Sequence, residues 1–326
     1  MTGLTFKQTS IAVLLVWLGF SSNVFSQSAN SGRDAFDFLK ISPIARAVGV
    51  GGAYSAIGDD IGSIYYNPAG LASLLTSEVN ITYLSLYQNI NFESFSFAYP
   101  VAETFPGLGG TVAVGVNLLQ PGSLARTNDS GVTVNGNATF SSGDQVFTLA
   151  YAKAFGSSLH MGFAVNMIQQ QVDTVSTSLF DVNVGMVVLP PFDGMRIGVS
   201  LQNIGAQESG FNLPFNLNGG ISYRRYELFS EQDDGALTAE VTLPLQPIED
   251  PVGIKVGGEY NFKWVGNRIT VRAGYEFLNS SLSGIGLALG AGYGFDLSGA
   301  VLFLDYAYAP ADIFGISNRI SLATKF

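Results

Sequence analysis

The sequence predicts an all-β protein: a transmembrane antiparallel β-barrel of about 14 strands, with an amino-terminal segment folded into its lumen. Three observations carry that expectation. Charged residues make up only 12% of the 326-residue chain and apolar residues 47%, whereas soluble domains carry about a quarter charged residues. Beyond the first residues no window approaches the ~18 uninterrupted apolar residues of a spanning helix, so the apolar content must be spread along strands. The third observation is how it is spread. Apolar residues alternate with small or polar ones at a period of two, which places the two kinds on opposite faces of an extended chain. In lipid such a sheet persists only if it closes and pairs every backbone group.

Residues 1–26 read as an export signal: Lys7 precedes the apolar stretch Ile11 to Phe20, and Val24, Phe25 and Ser26 stand before a cleavage point at Gln27. That apolar core is about half of what a membrane helix needs, so the segment is expected to be removed on export. Residues 27–78 form a second unit. Within it, 34–75 lacks alternation and contains the run GVGGAYSAIGDDIGSIYYNPAGLA from Gly49 to Ala72, in which Asn67, Pro68 and Gly70 form turns. Compact coil and short helix placed before a barrel of this size is expected to fold back and plug the lumen.

Residues 79–326 form the barrel itself. Candidate strands are 79–87, 91–99, 109–119, 145–154, 158–171, 178–189, 195–203, 213–225, 235–244, 252–262, 267–277, 284–296, 299–309 and 315–326. The count is even, and most reach the ~9–11 residues that a tilted strand needs to cross a bilayer. In the closing GISNRISLATKF, Ile320, Leu322, Thr324 and Phe326 fall on the lipid face and Arg319, Ser321, Ala323 and Lys325 on the other. Likewise Val252, Ile254, Val256, Tyr260 and Phe262 oppose Lys255, Glu259 and Asn261, and Ile269, Val271, Ala273, Tyr275 and Phe277 oppose Thr270, Arg272, Gly274 and Glu276. Brief links near Phe155 to Ser157, Lys263 to Gly266 and Leu297 to Ser298 suit the periplasmic side, and the long polar stretch Gln120 to Asp144 suits the outside. Both termini then face the periplasm.

Composition removes most chemistry. With no cysteine and one histidine, His160, the chain offers no thiolate zinc site, cysteine nucleophile or multi-histidine metal site, and no catalytic triad can be assembled. No cofactor is expected, and a net charge of −10 argues against nucleic acid as a partner. Glycines 49, 51 and 52 do not make a dinucleotide loop, because Tyr54 stands in place of the third glycine and no βαβ unit follows.

The stretch FDFLKISPIARAVGVGGAYSAIGDD, followed by YYNPAGLA, resembles the amino-terminal hatch of the PorV/PorQ proteins, which belong with the FadL-like outer-membrane barrels. The resemblance extends in layout over the mature chain. It implies a 14-stranded barrel in the bacterial outer membrane, with membrane lipid and the barrel-assembly machinery as partners and Phe326 as the assembly signal. It also implies that Asn67, Pro68 and Ala69 of the hatch motif, which continues into Gly70, lie beside a lateral opening through which small hydrophobic ligands leave. PorV-like relatives imply a second role, as an outer-membrane component or cargo shuttle among type IX secretion proteins. The short outer connections depart from the fatty-acid transporters of the group, whose longer loops build a binding groove.

Two sets of charges remain. Asp59 and Asp60 either hold a cation with backbone carbonyls, or cap a turn and meet a lumen arginine. Lys255, Glu259, Arg272 and Glu276 fall inward on adjacent strands, as a charged ladder that selects solutes or as an ion-pair network that bonds the hatch and stiffens the wall. His160 points inward in the same register and is expected to make a lumen hydrogen bond.

Overall fold

The structure, a computed structural model, describes residues 34–326 apart from 87–89, 102–106, 108, 129, 134–137, 209, 246–251, 279–285, 298 and 311–315. The expected export signal, residues 1–26, therefore lies outside the described residues, as do parts of several connections, including Ser298.

Fourteen strands close into one antiparallel barrel: β1 Glu78–Ser85, β2 Asn91–Pro100, β3 Thr111–Gln120, β5 Thr139–Phe155, β6 Leu159–Val172, β7 Val175–Val188, β8 Met195–Gly205, β9 Asn216–Tyr226, β10 Asp233–Pro244, β11 Gly253–Trp264, β12 Asn267–Leu278, β13 Gly286–Leu297, β14 Ala300–Pro310 and β15 Ile316–Lys325. A short additional strand, β4 (Ser123–Ala125), pairs only with β5. Each barrel strand pairs with its neighbours in order, and the ring closes where β1 meets β15. Ser77 and Phe326 exchange both backbone bonds at 3.0 Å, so the two ends of the barrel chain meet at one rim. Among the described residues no helix is long and apolar enough to cross a membrane.

The period of two decides the facing. Ile269, Val271 and Phe277 are about half exposed on the outer wall, while Thr270, Arg272 and Glu276 are buried. In β15, Ile320 and Leu322 face out and Ser317, Arg319 and Ser321 face in. The exterior is apolar and the interior holds nearly all the buried charge, the inverse of a soluble protein and the arrangement that hydrocarbon demands.

Two expectations are corrected at the outer rim. The fourth barrel strand starts at Thr139 rather than 145, because Thr139 to Ser141 pair with β4, and Ser142 to Asp144 pair with the outer end of β6. The long polar link 120–144 is thus partly strand. Above the bilayer both faces of a strand meet water, so its sequence carries no alternation to read. The eighth candidate strand begins at Asn216 rather than 213: Leu213 is buried beside Phe36 and Phe38, and the Ala35 N–H donates to the Asn212 carbonyl at 2.8 Å.

Segment 34–76 packs against the inner wall. It contains a 3-10 turn at Asp37–Lys40, single helical turns at Ala45–Gly49 and Ser63–Tyr66, and a 3-10 turn at Pro68–Ser73. The first helical turn ends in the left-handed pair Gly51 (φ 69°) and Gly52 (φ 76°), whose N–H groups donate to the Val48 and Ala47 carbonyls. A Cβ at Gly51 would also come within 2.8 Å of the Tyr275 nitrogen, so the segment lies backbone to backbone against β12. Asn67 begins the last turn, its side-chain oxygen accepting the Ala69 N–H at 3.2 Å with Pro68 at the first position.

Candidate functional site

The lumen is organised around one arginine of the amino-terminal segment. Arg46 donates to Glu259 of β11 through Nε (2.9 Å) and Nη2 (2.8 Å), and through Nη1 to Asp59 (2.6 Å) and Asp60 (2.8 Å). Glu259 also accepts from Arg224 of β9 at 2.8 Å and from Arg272 of β12 at 2.8 Å. Arg224 reaches Asp59 at 3.3 Å and pairs with Asp234, and Arg272 donates to Asp305 at 2.5 Å. Three guanidinium groups and five carboxylates thus tie the segment to five strands. Bidentate and shared contacts of this kind are the strong form of ion pairing.

Burial alone would push the Asp59 carboxyl up, but Arg46 and Arg224 hold it well below the ordinary carboxylate range. Burial likewise opposes the charge on Arg46, and Asp59 and Glu259 more than reverse it. Of the two readings of Asp59 and Asp60, the structure favours the arginine. Asp60 also caps its own turn, accepting the Gly62 N–H at 2.9 Å, and receives the Tyr54 hydroxyl at 2.7 Å. Among the described residues no cluster of acids and histidines is arranged to hold a metal ion.

The inward ladder on β11 and β12 exists in register, with Lys255 opposite Glu276 and Glu259 opposite Arg272. Its members do separate work. Glu259 bonds the segment to the wall, and Arg272 joins Glu259 to Asp305 within the wall. Lys255 lies 3.6 Å from Glu240, whose other oxygen accepts the Tyr54 and Ser55 N–H groups at 3.0 and 2.8 Å. His160 is buried, with Ser73 Oγ 3.3 Å from its Nδ1.

Asn67 sits where the segment meets β7. Its amide nitrogen donates to the Ser55 carbonyl at 2.8 Å and to the Met186 carbonyl at 3.1 Å. A Cβ at Gly185 would collide with the Asn67 side chain, and one at Gly162 would collide with the Pro68 carbonyl. Here the wall is closed: β6 and β7 pair without interruption from Leu159–Val188 to Val172–Val175. The nearest irregularity is between β7 and β8, where Gln202 and Asn203 (φ 59°) stand opposite Asn183 alone. Gln202 Nε2 reaches the Tyr65 and Tyr66 carbonyls at 2.8 Å, so this bulge adjoins the same turn.

The segment leaves a cavity on each side. The outer one, about 140 Å³, is bounded by Phe38, Ile41, Tyr65 and Tyr66 of the segment and by inward residues near the outer strand ends. Burial pushes the Tyr65 phenol up to about 12, so it remains neutral there. The inner cavity, about 100 Å³, is lined by Arg46, Asp59, Asp60, Glu259 and Arg272 among others.

Comparison with known proteins agrees with this architecture. No family model matches the sequence, and no curated protein does. The toluene transporter TbuX of Ralstonia pickettii superposes with a TM-score of 0.55 at 13% identity, covering 89% of this chain and 98% of its own. The toluene transporter TodX of Pseudomonas putida gives 0.52 at 11% identity over 81% and 92%, and a TodX monoaromatic hydrocarbon channel variant gives 0.56 at 10% over 89% and 99%. The fold is FadL-like. At these identities the likeness is one of fold, and the side chains of this FadL-like lumen must be read from its own geometry.

Sequence reasoning did not single out Arg46, Arg224, Glu240 or Asp305. For the three strand residues the signal was present: Tyr223 and Tyr306 face out, so Arg224 and Asp305 must face in, and Glu240 follows from Val241. Arg46 lies in a segment without periodicity, and nothing local marks it.

Proposed function

We propose that this protein is a bacterial outer-membrane barrel giving restricted passage to small hydrophobic molecules, with residues 34–76 as an internal hatch. The observation that carries the reading is the pair of cavities separated by a segment that is ion-paired, not covalently fixed, to the wall. The FadL-like fold, shared with proteins described as toluene transporters, supports the same substrate class. The outer cavity holds the molecule. Displacement of the hatch or parting of β7 from β8 at the Asn203 bulge, beside Tyr66 and Asn67, lets it leave; this sideways route past Asn67 to Ala69 follows the resemblance of that motif. The finer assignment to the PorV/PorQ branch rests on the motif alone.

A second reading, as a non-transporting component or cargo shuttle of a type IX-like secretion system, is favoured by one observation: the density of ion pairs across the lumen. Uptake of labelled toluene by cells whose outer leaflet is lipopolysaccharide separates the two. Expression of the folded protein is expected to raise the uptake rate. Unchanged uptake, together with blocked protein export on deletion of the gene, would replace the first reading by the second.

A further inference from the structure

The outer cavity has a chemistry that hydrophobic passage alone does not require. Where β3 and β5 to β9 line it, the wall carries carboxamides, among them Asn117, Asn166, Asn183, Gln202, Asn216 and Asn218, and no charged side chain. Phe38, Tyr65, Tyr66 and Phe92 line the same cavity and supply aromatic surface. The charges at its margin are already engaged: Lys40 lies 2.6 Å from Asp34 and 3.0 Å from Asp37, and Lys255 pairs with Glu240. An anionic ligand would find no free cation there among the described residues.

Some amides bond to one another or to the segment. Asn166 accepts from Thr148 at 2.7 Å and donates to Asp181 at 2.6 Å, and Asn218 donates to Gln202 at 2.8 Å. Another keeps capacity. Asn183 is engaged, among the described residues, only through its oxygen, by the Asn203 N–H at 2.7 Å, whereas Asn117 Oδ1 is closed off from the cavity. Size narrows the choice further: an apolar cavity of ~150 Å³ holds one benzene, and this one is about 140 Å³.

We propose that the outer cavity is a binding site for a neutral single-ring molecule bearing a hydroxyl or carbonyl group, such as an aromatic alcohol, in preference to a hydrocarbon or a carboxylate of the same size. The proposal rests on the passage reading for the ligand's way in, and on the cavity alone for its preference. The ring lies against the aromatic side. A hydroxyl or carbonyl oxygen accepts from the Asn183 amide nitrogen. A hydrocarbon leaves that amide nitrogen desolvated and unpaired, and a carboxylate brings a charge with no partner.

The test is calorimetric titration of the full mature protein in lipid nanodiscs with benzyl alcohol, toluene and benzoate, after subtraction of empty nanodiscs. Benzyl alcohol is expected to bind about tenfold tighter than toluene or more, equivalent to about 1.4 kcal/mol, with benzoate weakest. In Asn183→Leu the preference should shrink about tenfold. Toluene binding as tightly as benzyl alcohol in the unaltered protein, or benzoate binding tightest, overturns the proposal whether or not the variant folds. An unchanged ratio in a folded Asn183→Leu protein also overturns it. Uptake of the same solutes separates this from the passage reading. Benzyl alcohol that binds but does not cross ends the passage reading and leaves the site intact, whereas equal binding and equal crossing of benzyl alcohol and toluene do the reverse.

Discussion

Glu259 accepts from three arginines on three different elements, and its side chain is 2% exposed. Removing it takes one buried carboxylate from each of Arg46, Arg224 and Arg272, which keep only Asp59, Asp60, Asp234 and Asp305 among the described residues, and deleting one partner of a buried pair costs about 3–5 kcal/mol. Glu259→Ala should therefore lower the unfolding free energy of the barrel, read from its urea midpoint in lipid vesicles, by that order. The outer-rim pair Arg126 and Asp173, with side chains 44% and 36% exposed, is the control. Screened by water, it contributes less than about 1 kcal/mol, so Asp173→Ala should barely move the midpoint. Asp59 gives the lumen its response to acid. Its folded pKa is depressed, so its contribution is complete above the ordinary value of 3.8 and is lost as pH falls from there through the lower folded value. Protease attack on segment 34–76 should thus be constant through the neutral range and rise only in strong acid. In Asp59→Asn that acid-dependent component should be missing. A rise near neutrality in the unaltered protein would mean that Asp59 does not hold the segment.

The strands were legible because lipid enforces a strict rule along them, and the same rule explains where legibility stops. Val271 and Arg272 announce their faces from alternation alone, as do Lys255, Glu259 and Glu276. The rule lapses at Thr139 to Ser142, where a strand rises into water, and within 34–76, where burial on every side leaves Arg46 and the seat of Asn67 without a periodic signal. Small residues alternate with the apolar ones along the wall, and the structure gives them partners: Gly162 and Gly185 make room for Pro68 and Asn67. Gly185→Ala drives a methyl into the Asn67 side chain, and overpacking of this kind costs about 1–3 kcal/mol. Gly219, on β9, has open space around it. Gly185→Ala should raise the protease sensitivity of the segment at unchanged barrel content, and Gly219→Ala should not. Equal effects at both sites would show that the wall glycines serve strand geometry rather than the Asn67 seat.

At the scale of the molecule, segment 34–76 either moves or it does not. The closed ladder gives the wall no edge, and backbone pairing holds it in lipid irrespective of what fills it. The segment is held differently, by side-chain ion pairs and by backbone bonds such as the Ala45 N–H to Ser321 Oγ at 3.2 Å. A wall more stable than its filling is the arrangement a gate requires, since regions that open are drawn from the less stable end of a structure. The chain has no cysteine, so a tether can be introduced without competing thiols. Ala45→Cys with Ser321→Cys joins the helical turn Ala45–Gly49 to β15 across that contact. Oxidised, the double variant is expected to lose toluene uptake while keeping the heat-modifiable gel mobility of a folded barrel, and reductant should restore both the motion and the rate. Uptake that survives the tether would place the route elsewhere than past the segment. Uptake absent before and after reduction, in a barrel that still folds, would leave the filling as a permanent part of the wall's interior and the lumen as a platform.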